Sequence, residues 1–184
     1  VRKKVCDQLI EIWQQKKSQS DAMIFLLNHE ITYQSARKII SALGDQTISV
    51  VSKNPYELIH HVKGLGFIKA DRIALHMGLA KDAPQRIQQG ILYLLKSAEE
   101  QGHCYQDEKQ IITACEQSLD ISDHTKIKEN LNLLLQQESI AQTSLKDSPC
   151  YFPNDLYISE LNITRITKEI LNEKFSGTDP TTAL

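Results

Sequence analysis

Cysteine, glycine, proline and aromatic residues are all scarce in this chain of 184 residues: four, seven, five and 6%, with a single tryptophan. The thiols Cys6, Cys104, Cys115 and Cys150 form no close pair, so neither a disulfide framework nor a Cys-pair metal site is indicated. No apolar run approaches the ~20 residues needed to span a bilayer, and no charged-then-apolar leader opens the chain. The expected location is therefore a reducing cytoplasm, with no membrane partner. Basic excess is also missing, since the formal net charge is −2. Val1 in place of methionine suggests a fragment or processed product. What is present, 41% hydrophobic and 24% charged residues, suits one larger or two small soluble domains. The charge is uneven. Residues 1–86 hold 13 Lys and Arg against 8 Asp and Glu, whereas residues 87–184 hold 8 against 15, which together restore −2. Contact with a polyanion is expected in the first half, weak on its own and weakened by salt.

Two of the few glycines stand together in Val62-Lys63-Gly64-Leu65-Gly66-Phe67-Ile68-Lys69-Ala70-Asp71-Arg72-Ile73-Ala74. Upstream, Asn54 suits a helix cap, Pro55 the first helical position and Glu57 the far side of a capping box, predicting a helix over 55–62. Downstream, Ala70, Ile73, Ala74 and Met77 recur at helical spacing before Gly78, predicting a helix over 67–77. A helix opening at Phe67 turns its free first-turn amides outward, its dipole adds positive potential, and Lys63, Lys69 and Arg72 surround the same point. The predicted site is a phosphate cradle of Lys63, Gly64, Leu65, Gly66, Phe67, Ile68, Lys69 and Arg72. This pattern resembles the helix-hairpin-helix DNA-binding motif, which implies a grip on nucleic-acid backbone without reading sequence. The plainer alternative is a tight connection between packed helices, with the lysines merely solvated.

Asn28 to Gly44 repeats the outline without the glycines, with His29 and Glu30 where glycines are expected. This copy is read as structural, packing Ala36, Ile39 and Ile40 against Ile73 and Met77 across a pseudo-two-fold axis. Before it, Val5, Leu9, Ile12 and Trp13 predict a helix stopped by Lys16-Lys17-Ser18-Gln19-Ser20. A new helix then starts at Ser20 or Asp21 and turns Met23, Ile24, Leu26 and Leu27 inward. After Pro84, Ile87, Ile91, Leu94, Leu95 and Ala98 give a long helical stripe closed by Gly102. Gly90 inside it costs about 1 kcal/mol against alanine and suggests close approach of a neighbouring backbone.

Beyond His103, Tyr105 begins a short strand, Asp107 to Leu119 reads as a helix, and Ser122 or Asp123 caps another. Extended runs at Ser139–Leu145 and Cys150–Pro153 flank the turn residues Lys146-Asp147-Ser148-Pro149. Helix, helix and hairpin in that order look like a winged helix. Its second helix carries Lys126 and Lys128 but also Glu129 and Glu138, so protein packing is favoured over DNA reading. Leu161, Ile163, Ile166 and Ile170 suggest a last helix, and Ser176 onward a linker. The fold class is mainly α: 1–20, the end of a preceding helical element; 21–80, a tandem helix-hairpin-helix unit; 81–102, a connecting helix; 103–155, a winged-helix-like segment with a small β-hairpin; 156–175, a C-terminal helix; 176–184, a tail.

Other chemistries find little support. No G-x-x-x-x-G-K-[ST] run is present, and the hairpin lacks the strand and third glycine of a Rossmann loop. His60, His61, His76 and Asp71, or His103 with Cys104 and Cys115, lack metal-ligand spacing. No nucleophile elbow indicates a hydrolase. A base-excision glycosylase would carry a lysine where this chain has Ile68, and no glycine-rich loop leads into Asp82.

In order and spacing, Asn54-Pro55-Tyr56-Glu57-Leu58, the Lys63–Ala74 hairpin run, Ile91-Leu92-Tyr93-Leu94-Leu95 and Glu100-Gln101-Gly102-His103-Cys104-Tyr105 resemble the N-terminal region of RecD-type bacterial DNA helicases that work outside RecBCD, exodeoxyribonuclease V alpha-like proteins of repair or recombination. The resemblance implies a parent that uses ATP and magnesium to unwind duplex 5'-to-3', its motor beyond Leu184. No catalytic motif and no cofactor are expected in these residues. The expected partner is single-stranded or forked DNA, bound without sequence preference, with protein partners at the acidic C-terminal half. An adaptor region that docks protein and touches no DNA is the alternative.

Overall fold

A single helix, α1 (Arg2–Asn28), opens the chain. The structure, a computed structural model, describes residues 2–145 and 148–176. The predicted stop at Lys16–Ser20 is absent, because lysine and glutamine favour helix, serine costs little and no glycine or proline interrupts the run. Ala22 and Leu26, one turn apart, face inward, while Ile12, Trp13, Ile24 and Leu27 are exposed. Thus Ile12 and Trp13 do not form the expected inner face, and only part of the 23–27 cluster does. A helix rotates about 100° per residue, so Ile24 and Leu27 cannot share the Ala22–Leu26 stripe. The side chains of Val5 and Leu9 lie outside the described residues.

Two units divide at residues 89 and 90. In the first, α1 is followed by α2 (Tyr33–Leu43), a 3-10 turn (Gly44–Gln46), α3 (Thr47–Lys53), a second 3-10 turn (Pro55–Glu57), α4 (Leu58–His61), α5 (Phe67–His76) and the start of α6 (Pro84–Glu100). The helix expected over 55–62 is thus a 3-10 turn running into one α turn. Helix α3 has no counterpart in the sequence reading. Its Thr-Ile-Ser-Val-Val run favours extended structure. Here burial of Thr47 and Val51 and a Thr47 hydroxyl bond to the Gly44 carbonyl (2.7 Å) override that preference. Helix α2 packs mainly on α1, α3 and α4, and α5 on the 55–61 segment. The expected seam of Ala36, Ile39 and Ile40 against Ile73 and Met77 is therefore not among the principal helix contacts, and Met77 is only half-buried.

The second unit contains the rest of α6, β1 (Gln106–Asp107), α7 (Glu108–Leu119), α8 (His124–Gln136), β2 (Ile140–Leu145), β3 (Ser148–Pro153) and α9 (Asn154–Ser176). The antiparallel sheet has order β1-β3-β2, with Gln106 opposite Tyr151, Ile140 opposite Pro153 and Leu145 opposite Ser148. Helix, strand, two helices and a two-stranded wing whose second strand pairs with the first strand make a winged-helix arrangement. Asp107 caps α7 in a capping box with Gln110, and Asp123 caps α8. Ile111, Cys115, Leu119, Ile127, Leu131 and Leu134 fill its core. The nearest approach to Gly90 is by the Leu119 side chain, where the sequence suggests a backbone. Helix α9 forms as expected, yet Leu161, Ile163, Ile166 and Ile170 are exposed on it. Lys146 and Asp147 of the predicted turn, and the tail from Gly177, lie outside the described residues. Among the described residues, no helix is long and apolar enough to cross a membrane.

Candidate functional site

The second hairpin leaves α4 at Val62, turns at Gly64 with φ +82° and enters α5 through Gly66. Gly64 takes a conformation that side chains other than glycine reach only with strain. Gly66 does not: its φ is −87°, open to any residue, and a Cβ added there would meet nothing within 4 Å. The protein itself therefore makes no demand for glycine at 66, and the space above it is open. The Leu65 amide donates to the Val62 carbonyl (3.0 Å), and the Lys69 and Ala70 amides to the Gly66 carbonyl (3.1 and 3.2 Å). The amides of Gly66 and Ile68 have no acceptor among the described residues.

The eight predicted site residues divide by position. Lys63, Gly64, Gly66, Ile68, Lys69 and Arg72 are exposed, whereas Leu65 and Phe67 are buried, 5% and 6% accessible. Leu65, with its side chain inside and its amide already engaged, drops out of the expected cradle and plugs the hairpin from within. The Phe67 ring stacks on Tyr56, centroids 6.0 Å apart, so its contribution is to packing. The Lys69 ammonium reaches back to the Gly64 carbonyl (3.4 Å) and closes the turn from outside. Ile68, where a glycosylase would hold its nucleophile, is 60% exposed and chemically inert.

A buried ionic cluster fixes α5 beneath this turn. Arg86 donates to both Asp71 oxygens (2.9 and 3.0 Å) and to the Lys81 carbonyl (2.7 Å), while the Tyr56 hydroxyl donates to Asp71 Oδ1 (2.7 Å). Burial, then the bond to the Asp71 carboxylate, pushes the Tyr56 phenol upward and keeps it a donor. The partners of Asp71 lie 15 positions away on either side and leave no local signal in the sequence. The predicted cap also differs in detail: Asn54 Oδ1 accepts from the Tyr56 amide, but Glu57 accepts from the Asn54 side chain because the Asn54 amide already ends α3.

The first hairpin repeats the second with a constant offset. Glu30, Ile31, Thr32 and Tyr33 stand where Gly64, Leu65, Gly66 and Phe67 stand 34 positions later. Glu30 adopts φ +58° and Ile31, like Leu65, is 5% accessible. Glycine's places are therefore taken by Glu30 and Thr32, not by His29 and Glu30 as the sequence suggests. The Thr32 hydroxyl oxygen accepts from the Ser35 amide (3.4 Å), claiming a first-turn donor of α2. Between the hairpins lies a groove of ≈ 300 Å³ lined by Glu30, Thr32, Ser35, Leu65, Lys69 and Arg72.

Charge is organised differently in the two units. Arg37, Lys38, Lys63 and Arg72 have no acidic partner among the described residues. On α8, by contrast, Lys128 pairs with Glu108 (2.6 Å) and His124 with Glu116, both acids belonging to α7. The candidate metal ligands are dispersed too: His61 lies near Glu57, His76 near Glu30, Cys104 donates to Glu160 and Cys115 is buried.

Paired hairpins, each joining two helices through a left-handed corner and a buried aliphatic plug, define a tandem helix-hairpin-helix protein. Residues 15–105 match the family model of the ATP-dependent RecD2 DNA helicase HHH domain. This is a helicase-associated region.

Proposed function

We propose that this region holds nucleic-acid backbone for a RecD-like helicase, with no catalysis of its own and no base reading. The observation that carries the proposal is the second hairpin's rim: amides at Gly66 and Ile68 unclaimed among the described residues, open space over Gly66, and beside them Lys63 and Arg72, which have no acidic partner among those residues. An oxyanion placed there completes the open donors and meets positive potential. On this reading the partner is single-stranded or forked DNA in a cytoplasmic repair or recombination protein. ATP, magnesium and 5'-to-3' unwinding belong to motor domains outside these 184 residues.

The test is a fluorescence anisotropy titration with single-stranded and forked DNA at low and moderate salt. Binding should weaken as salt rises, with a log–log slope of about 0.7 per phosphate contacted on a single strand. Lys69→Glu and Gly66→Asp should weaken it further. The second substitution leaves the fold intact, since residue 66 has an ordinary φ and an open Cβ position, so its effect reads the ligand. Binding that is absent, or indifferent to salt and to both changes, removes the proposal. It would favour an adaptor that docks protein, a reading to which the internally matched charges of α8 and the exposed Leu161, Ile163 and Ile166 lend support.

A further inference from the structure

Helix α2 turns one face into the core, through Ala36, Ile39 and Ile40, and on the rest of its surface Tyr33, Arg37 and Lys38 are exposed, Tyr33 at the edge of the buried face. Tyr33 is 59% exposed, and its side chain has neither a ring partner nor a hydrogen bond among the described residues. Its counterpart in the second repeat, Phe67, fills core against Tyr56. The same position thus holds an aromatic ring twice, once packed and once left in water. Likewise the buried acid Asp71 has Arg37 as its counterpart, so this face of the first repeat has gained a cation where the second holds an anion.

These side chains border two open surface depressions. A depression of ≈ 540 Å³ is bordered by Tyr33, Gln34, Arg37, Lys38 and Ser41, and another of ≈ 690 Å³ by Lys38, Ser41, His61, Lys63 and Gly64. Lys38 and Ser41 border both, so the two depressions adjoin between the exposed ring and the corner of the second hairpin. No Asp or Glu is among the residues lining either depression, whereas the groove on the other side of the hairpin includes Glu30. Positive charges spaced along a groove, with an aromatic platform at one end, suit a strand whose bases are unpaired, because only such bases offer a free π-face.

We infer that the α2 face of Tyr33, Arg37 and Lys38 binds a single nucleic-acid strand that continues to Lys63 and Gly64, Tyr33 stacking on one base and the two cations holding phosphates. The inference rests on the reading of the second hairpin as a backbone holder, and adds to it a strand path and a preference for unpaired nucleic acid.

The experiment titrates the 184-residue chain with a single strand of about 15 nucleotides containing one 2-aminopurine, and with the blunt duplex of the same sequence. The 2-aminopurine fluorescence should be quenched on binding. Tyr33→Ala should abolish the quench and weaken single-strand binding about 5- to 100-fold, while Tyr33→Phe retains both. Arg37→Ala with Lys38→Ala should lower the single-strand salt slope by about 1.4. Tyr33→Ala should leave duplex binding unchanged, since paired bases present no free face. All three residues are solvent-facing, and a far-UV dichroism melt confirms that the variants fold. If Gly66→Asp weakens binding but the α2 variants match the parent, this strand path is wrong and the hairpin reading stands. If the parent chain binds no DNA, the hairpin reading falls and takes the strand path with it. Tighter binding of polyglutamate than of the single strand at equal charge concentration, retained in Tyr33→Ala, would identify an acidic protein segment as the occupant and overturn the inference.

Discussion

Glu30 and Gly64 occupy the same corner of two successive hairpins, both with left-handed backbone, φ +58° and +82°. A glutamate in that region is strained by its Cβ, whereas glycine is not. Glu30→Gly is therefore expected to raise unfolding free energy by about 0.5–1 kcal/mol, despite loss of the exposed contact to His76, because such surface pairs contribute little. Gly64→Ala should lower it by about 1 kcal/mol. Urea titrations that give both changes the same sign would refute the equivalence of the two corners.

Arg86 and Asp71 form a pair almost out of water, their side chains 5% and 12% accessible. Truncating one partner strands the other's charge, so Arg86→Ala should cost about 3–5 kcal/mol in denaturant unfolding. Tyr56→Phe removes one bond to a carboxylate and keeps the ring over Phe67, which predicts a smaller loss of about 1.5–3 kcal/mol. An Arg86→Ala loss no larger than that of Tyr56→Phe would show the pair to be solvated.

Gly90 lies against the buried Leu119 side chain. Alanine at 90 gains helix propensity but collides with Leu119, and the net expectation is a destabilisation of about 1–3 kcal/mol. Leu119→Ala alone leaves a cavity costing about 2–5 kcal/mol. The double variant should be less damaged than the sum of the two, since the new methyl enters the space vacated. Strict additivity in the cycle would contradict the contact.

Burial raises the Cys115 thiol from 9.0 to about 12. A group whose folded pKa lies above its unfolded one supports the fold below the unfolded value and loses that support as pH climbs towards the folded value. Stability should therefore fall from about pH 9 upward, with the raised Tyr56 adding to the decline above about pH 10. Cys115→Ser should flatten the first part of that fall in denaturant titrations run between pH 7 and 10. In native protein a thiol reagent followed by mass spectrometry should label Cys6 and Cys104 and spare Cys115 and Cys150, which are buried. Cys104, raised by its bond to Glu160, should label faster in Glu160→Gln.

Helices with clear apolar periodicity, such as α5, α6 and α7, could be read from the sequence because burial of one face leaves a local, repeating mark. The second hairpin was legible for a related reason: Gly64 supplies a left-handed corner that few residues tolerate. The Lys16–Ser20 segment misled because polar residues suggest a break even where nothing forbids helix. Helix α3 escaped notice because its β-branched residues favour extended chain until Thr47 and Val51 are buried. The Tyr56–Asp71–Arg86 cluster left no local trace, since it joins three separate elements. A finer signal did exist for Tyr33, Arg37 and Lys38. Setting residues 30–44 above residues 64–78 places each beside its counterpart and exposes the ring that lacks a core to fill.

The open rim of the second hairpin consists of main-chain nitrogens, with Lys69 latched onto a main-chain oxygen. Donors carried by the polypeptide itself do not depend on which side chains flank them, since they stay where the helix puts them. On the proposed reading, such donors are silenced by altering the corner's dihedral freedom or by planting a negative charge in the doorway.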